Sequence, residues 1–188
     1  MRCLLCGKFS WRYLCKTCDA SLTPDPKRHL IEGRLNVISF FAYDDVEPLI
    51  KTKYHPFGTR TLARLSRRAF QPFFADLALE QPAALLPIDD RPGKWFSHTA
   101  ALARAGEGRS VKARYGRLRA TAKIHYAGQS LAFRKNNPRK FAVKPFGEPS
   151  AVLLDDLMTT GTTLLEAADA IEKTGKTVLF AVVLAAAD

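Results

Sequence analysis

The sequence has no apolar run near the roughly 20 residues that a membrane-crossing helix needs. Its longest candidate, Thr177 to Ala187, suits a buried strand instead. It has no G-x4-G-K-[ST] loop, and its Gly106-Glu107-Gly108 follows no strand-like run, which excludes Walker-type and dinucleotide-fingerprint nucleotide binding. Internal repeats and low-complexity tracts are absent. The N-terminus, Met1-Arg2-Cys3-Leu4-Leu5-Cys6, lacks the apolar stretch of a secretory signal, so a reducing, cytoplasmic setting is expected. No cysteine lies beyond Cys18. Acidic residues are scarce, at 18 against 29 Lys plus Arg, for a net charge of +11. Between Arg104 and Lys144 a single acid, Glu107, stands against twelve basic residues.

What is present fits one globular domain with a small appendage. At 188 residues and 47% hydrophobic content, the chain can bury a core without covalent staples. The basic stretch predicts a partner rich in phosphate, nucleic acid or a polyphosphate, because a surface kept merely soluble mixes its signs. A solvated basic loop is the plainer alternative. Arg117, Arg119, Lys123, Arg134, Lys135, Arg139 and Lys140 are its candidate nucleic-acid contacts.

Four segments follow from the pattern. Met1 to Arg28 holds every cysteine and ends in Thr23-Pro24-Asp25-Pro26, which reads as a linker to a second unit spanning 29–188. Asn36 to Tyr43 reads as a strand. From Thr59 a helix is expected, with Arg60, Arg64, Arg67 and Arg68 on one face and Leu62, Leu65, Ala69 and Phe73 on the other. Ala84 to Ile88 is a short apolar strand, Arg91-Pro92-Gly93-Lys94 a turn, and His98 to Arg104 a short helix. The basic stretch that follows reads as a long excursion or hairpin, broken at Asn136-Asn137-Pro138. Ala151 to Leu154 is continuously apolar, as in a parallel sheet covered on both faces. A Thr/Gly loop comes next, then a helical stripe of Leu164, Ala167, Ala168 and Ile171 closed by Gly175, then a strand from Thr177 to Leu184. That strand–loop–helix–strand order predicts an α/β fold with a parallel sheet.

The cysteines fall as Cys3-x2-Cys6-x8-Cys15-x2-Cys18. Two C-x2-C turns offer the four thiolates of a tetrahedral zinc site, structural because no coordination position stays open. Two disulfides or a redox pair are the competing readings; the compartment disfavours the first, and the second needs only two cysteines. Lys8, Trp11, Arg12, Tyr13 and Lys16 around them either form a surface on which bases stack or simply shield the knuckle.

Beyond the strand at Leu154 come two acids and then Thr159-Thr160-Gly161-Thr162-Thr163 ahead of a helix. Backbone N–H groups and hydroxyls at a helix start grip a phosphate monoester. The acids repel phosphate and suit a neighbouring diol, whose hydroxyls donate to carboxylates. Together they describe a ribose 5-phosphate site. Helix capping is the plainer role, but it needs one acid, not two. His29, His55 and His125 read as surface or turn residues, whereas His98 lies beside the next candidate loop and could contact ligand.

Asp155-Asp156-Leu157-Met158-Thr159-Thr160-Gly161-Thr162-Thr163 resembles the phosphoribosyl pyrophosphate motif of type I phosphoribosyltransferases. With the C-x2-C pairs, Lys53-Tyr54, Leu86-Pro87-Ile88, Phe96-Ser97-His98, Leu102-Ala103 and Gln129 to Phe141, the whole chain is similar to the ComF family of competence proteins. That resemblance implies a type I phosphoribosyltransferase-like domain behind a four-cysteine zinc knuckle. It implies Asp155 and Asp156 on the ribose hydroxyls with Mg²⁺, Thr159 to Thr163 on the 5′-phosphate, and a pyrophosphate loop at Arg91, Gly93 and Lys94. The implied partners are single-stranded DNA during natural transformation, phosphoribosyl pyrophosphate or a nucleotide, and DNA-uptake machinery proteins at the inner membrane. Purine-salvage relatives place an acidic general base where this chain has Thr159, so the resemblance names no catalytic residue.

Overall fold

The structure, a computed structural model, describes residues 1–55, 57–88, 97–122, 133 and 136–187. Among the described residues the strands are β1 (Lys27–Ile31), β2 (Leu35–Ala42), β3 (Ala83–Pro87), β4 (Val111–Ala113), β5 (Leu118–Ala120), β6 (Phe141–Val143), β7 (Ser150–Met158) and β8 (Thr177–Ala186). Six of them form one sheet in the order β1-β2-β8-β7-β3-β4. Every neighbouring pair in it is parallel except β1 with β2. The expected α/β class with a mostly parallel sheet is the class observed.

Alternation along the central strands divides the core. Val152, Leu154 and Val182 face a layer built from α2 (Tyr43–Ile50), α3 (Gly58–Asp76) and α4 (His98–Ala103), through Leu49, Leu62, Phe70 and Leu102. Ala151, Leu153 and Val183 face α5 (Thr162–Glu172) and the β5–β6 ribbon, through Leu164, Ala168, Ile171 and Leu118. Burial on both sides explains the unbroken apolar run of β7, each Leu or Val contributing roughly 1.5–3 kcal/mol. In α3 the apolar stripe Leu62, Leu65 and Ala69 is buried, while Arg60, Arg64 and Arg67 are exposed, as the periodicity predicts.

Two features differ from the sequence reading. Residues 27–31 form an edge strand paired antiparallel to β2, although Lys27, Arg28 and His29 show no apolar alternation; charged residues suit an edge that must not pair further. The stretch read as a linker is tied to the sheet, with the Asp25 N–H donating to the Phe40 carbonyl at 2.8 Å. For the basic stretch the hairpin alternative is the one found at its base, with Leu118 paired to Val143 and Ala120 to Phe141.

The N-terminal segment, which carries the short helix α1 (Lys16–Ser21), is docked on the α3 side of the sheet. Leu14, Leu22 and Cys3 are buried in the same cluster as Leu62 and Leu65. Arg64 Nε donates to Asp19 Oδ1 at 2.5 Å, and Arg68 donates to the Asp19 carbonyl. Tyr13 stacks on Phe57 with ring centroids 4.9 Å apart.

Candidate functional site

Parallel sheets leave room for ligands beyond the carboxyl ends of their strands. Here that end gathers residues from four elements. β7 runs past Leu154 to Met158, so Asp155 and Asp156 lie within the strand, not in the loop after it. Asp156 is 3% exposed, and a carboxylate so buried needs a cationic partner. Lys53, from the 3-10 turn Lys51–Tyr54, supplies it: its Nζ lies 2.8 Å from Asp156 Oδ2. His98 opens α4, is 8% exposed, and places Nε2 3.9 Å from the same oxygen. That Nε2 is buried without a hydrogen-bond partner among the described residues. His98, Asp155 and Asp156 each bring one ligand atom within 4.8 Å of the others.

These neighbours split the two acids electrostatically. Burial, reinforced by the charge of Asp156, pushes the Asp155 carboxyl up to about 8. Burial also opposes ionisation of Asp156, but the charge of Lys53 overrides it and holds Asp156 below the usual carboxylate range. His98 is pushed down chiefly by burial, so it is neutral at pH 7. At neutral pH the pair therefore carries one proton and one negative charge, balanced by Lys53. Asp155 also accepts the Asp156 backbone N–H at 2.8 Å.

The Thr/Gly loop follows directly. Thr159 and Thr160 are exposed, and the Thr160 and Thr162 hydroxyls lie 2.9 Å apart. Gly161 caps α5 in the left-handed region at φ 73°, where a Cβ would meet Ile31 Cγ2 at 2.9 Å. Both the turn and the close approach of β1 require glycine here. The first N–H groups of any α-helix have no intrahelical acceptor, and α5 opens at Thr162, directly after the loop that follows the two acids. The Ile88 N–H donates to the Leu154 carbonyl at 2.8 Å, so the chain leaving β3 starts next to Asp155.

Other expected residues fall elsewhere. Arg91, Gly93 and Lys94, and likewise Lys123, Arg134, Lys135 and His125, lie outside the described residues. Arg117, Arg119 and Lys140 are exposed around the β5–β6 ribbon. Arg139 is half-buried, its backbone N–H donating to Glu166 Oε2 of α5 at 2.7 Å. Within the same basic stretch Arg114 has a structural role, donating through Nε to Glu148 Oε1 at 2.8 Å and holding that carboxyl below its ordinary range. His29 Nε2 pairs with Ser39 Oγ at 2.8 Å, and His55 stacks on Phe57, both bland roles as expected. Sequence reasoning assigned no chemistry to Lys53; its partner is 103 residues away, and no local pattern marks the pair.

The four cysteine sulfurs lie within 4.8 Å of one another, and Cys6 Sγ is 3.9 Å from Cys15 Sγ. A disulfide needs about 2.05 Å, whereas tetrahedral Zn–S bonds of about 2.3 Å put sulfurs about 3.8 Å apart. Hydrogen bonds with Cys6 and Cys15 push the Cys18 thiol up to about 12, so the set cannot shed all its protons without a cation to replace them. The donor set thus fits a metal such as zinc.

No family model matches the chain, and neither does any protein of curated function. Among solved structures it is similar to a phosphoribosyltransferase from Corynebacterium diphtheriae at 19% identity, over 75% of this chain and 72% of that one, with a TM-score of 0.38. It is also similar to the orotate phosphoribosyltransferase of Aeropyrum pernix at 18%, over 91% and 78%, with a TM-score of 0.40. A third likeness is to the Mycobacterium tuberculosis H37Rv orotate phosphoribosyltransferase, at 15%, over 89% and 81%, with a TM-score of 0.39. Likenesses this distant leave the functional argument to the chain's own residues.

Proposed function

We propose that this chain binds a phosphorylated ribose, phosphoribosyl pyrophosphate or a nucleotide, at the carboxyl end of β7. The supporting observation is the juxtaposition of the Asp155–Asp156 pair with the Thr159–Thr163 loop at the start of α5. Thr159, Thr160, Gly161, Thr162 and Thr163 hold the 5′-phosphate through backbone N–H groups and hydroxyls. Ionised Asp156 accepts from one ribose hydroxyl, and protonated Asp155 shares a hydrogen bond with the other. Mg²⁺ would neutralise pyrophosphate charge beside these acids. Arg91, Gly93 and Lys94 are proposed to take the pyrophosphate itself. Binding, not turnover, is the claim.

On the same reading the protein is a ComF-type competence factor that handles single-stranded DNA during natural transformation. Support comes from the four-cysteine cluster ahead of the phosphate motif and from the exposed Arg117, Arg119 and Lys140. The division into a knuckle at 1–28 and a ligand-binding domain at 29–188 belongs to this proposal. The alternative is an active phosphoribosyltransferase of nucleotide metabolism, with no use for DNA.

Calorimetric titration with phosphoribosyl pyrophosphate and Mg²⁺ tests the ligand. Asp155→Asn combined with Asp156→Asn is expected to abolish binding, yet leave affinity for a single-stranded oligonucleotide intact. Equal ligand affinity in the wild type and that variant refutes the site. Release of pyrophosphate with a free base, together with no oligonucleotide affinity, favours the alternative.

A further inference from the structure

A second basic surface belongs to α3 and the docked N-terminal segment, and no residue of the Thr159–Thr163 loop takes part in it. Helical spacing places Arg60, Arg64, Arg67 and Arg68 on one face of α3, and Arg12 approaches from the knuckle. Between them is a cleft of about 440 Å³, also lined by Tyr13 and Thr61, a volume in the range of small-molecule sites.

The charges in this cleft do not balance. Asp19 is the one acid lining it, and it is engaged by Arg64 and Arg68. Arg60 and Arg67 have no carboxylate partner among the described residues, and Arg12 acts on Asp19 only through its charge, with no ion pair between them. Like charges three and four positions apart repel along a helix; the N-terminal segment relieves Arg64 and Arg68 through Asp19 but brings Arg12 as a further cation. Thr61 supplies a second, independent sign. It is 6% exposed, and its Oγ1 is buried without a hydrogen-bond partner among the described residues. An orphaned hydroxyl costs free energy unless something bonds it. Guanidinium forks match phosphate oxygens two at a time, and a hydroxyl beside them completes such a cradle.

We infer that the cleft between the four-cysteine knuckle and α3 is a phosphate-binding site in its own right, for the phosphate groups of a nucleotide. Arg12, Arg60 and Arg67 supply the charge, Thr61 a neutral hydrogen bond. Asp19, on the cleft wall, holds Arg64 and Arg68 in place. The phosphates come either from a free nucleoside polyphosphate or from the backbone of a single strand. This site does not rest on the Asp155–Asp156 reading.

Titration with inorganic tripolyphosphate tests it, using the zinc-loaded full chain at near-physiological salt. Arg12→Ala with Arg60→Ala and Arg67→Ala is expected to weaken binding roughly tenfold or more. Thr61→Val, which keeps the side-chain shape, is expected to give a smaller measurable loss. Asp155→Asn with Asp156→Asn is expected to leave this affinity unchanged. Tripolyphosphate affinity in the triple-arginine variant equal to that of the wild type overturns the inference, as does a loss confined to the Asp155/Asp156 variant. A short oligothymidylate identifies the source. Weaker oligothymidylate binding in the triple variant assigns the site to a strand, and unchanged binding assigns it to the free nucleotide.

Discussion

Asp156 and Lys53 are the pair on which the site's electrostatics turn. With the lysine side chain 17% and the aspartate side chain 5% exposed, removing the cation leaves a buried charge without its partner. Lys53→Met is expected to lower unfolding stability by about 3–5 kcal/mol, read by denaturant titration at pH 7. Asp155 makes the opposite kind of contribution. Its carboxyl is raised from 3.8 to about 8 in the folded chain, so between those values the native state holds a proton that the unfolded state has released. Stability therefore falls as pH rises through that window. Asp155→Asn is expected to flatten this slope and to melt above the wild type at pH 8.5, which a thermal scan across pH measures. Two adjacent acids before a Thr/Gly loop could be read directly from the sequence as a diol and phosphate site. Their unequal ionisation could not, because it is imposed by burial and by the charge of Lys53, which only folding brings to them.

Among the elements, the β7–loop–α5–β8 unit was the most legible. Its strands have buried central stretches and its helix carries a complete apolar stripe, so burial and periodicity mark the same elements, although β7 runs on past the expected Leu154 to Met158. β1 and β4 were missed for the converse reason. An edge strand has one neighbour and little to bury, and β4 is three residues long. Gly161 shows how tightly the legible unit is built. Gly161→Ala places a Cβ in the left-handed region and against Ile31, so a loss of about 1–2 kcal/mol is expected from the backbone alone, checked by urea unfolding. The knuckle is bound to α3 through Leu14, Leu22 and the Asp19–Arg64 pair. If the four cysteines hold zinc, chelating it, or Cys6→Ser, is accordingly expected to lower the melting temperature of the whole chain, not just of its first residues. Zinc analysis alongside circular dichroism checks this, and a body melting unchanged without metal would show the two parts to be independent.

For the whole molecule, the +11 net charge is the property most visible in sequence and the least localised by it. Folding sorts that charge. Arg114 pairs with Glu148, Arg34 with Asp169, and Arg64 with Asp19, so only part of the basic excess is available to a ligand. Among the described residues no helix is long and apolar enough to cross a membrane. If the remaining exposed arginines and lysines meet a single strand, log affinity should fall with log salt by about 0.7 for each phosphate neutralised, independent of base sequence. A fluorescence anisotropy titration at several salt concentrations reads that slope. The central claim is narrower, namely that the amides after two adjacent carboxylates hold a sugar through its terminal phosphate. A crystal soaked with phosphoribosyl pyrophosphate and Mg²⁺ tests it most directly: the account predicts phosphate density within the Thr159–Thr163 loop and ribose hydroxyls on Asp155 and Asp156, and a ligand bound elsewhere with this loop empty would contradict it.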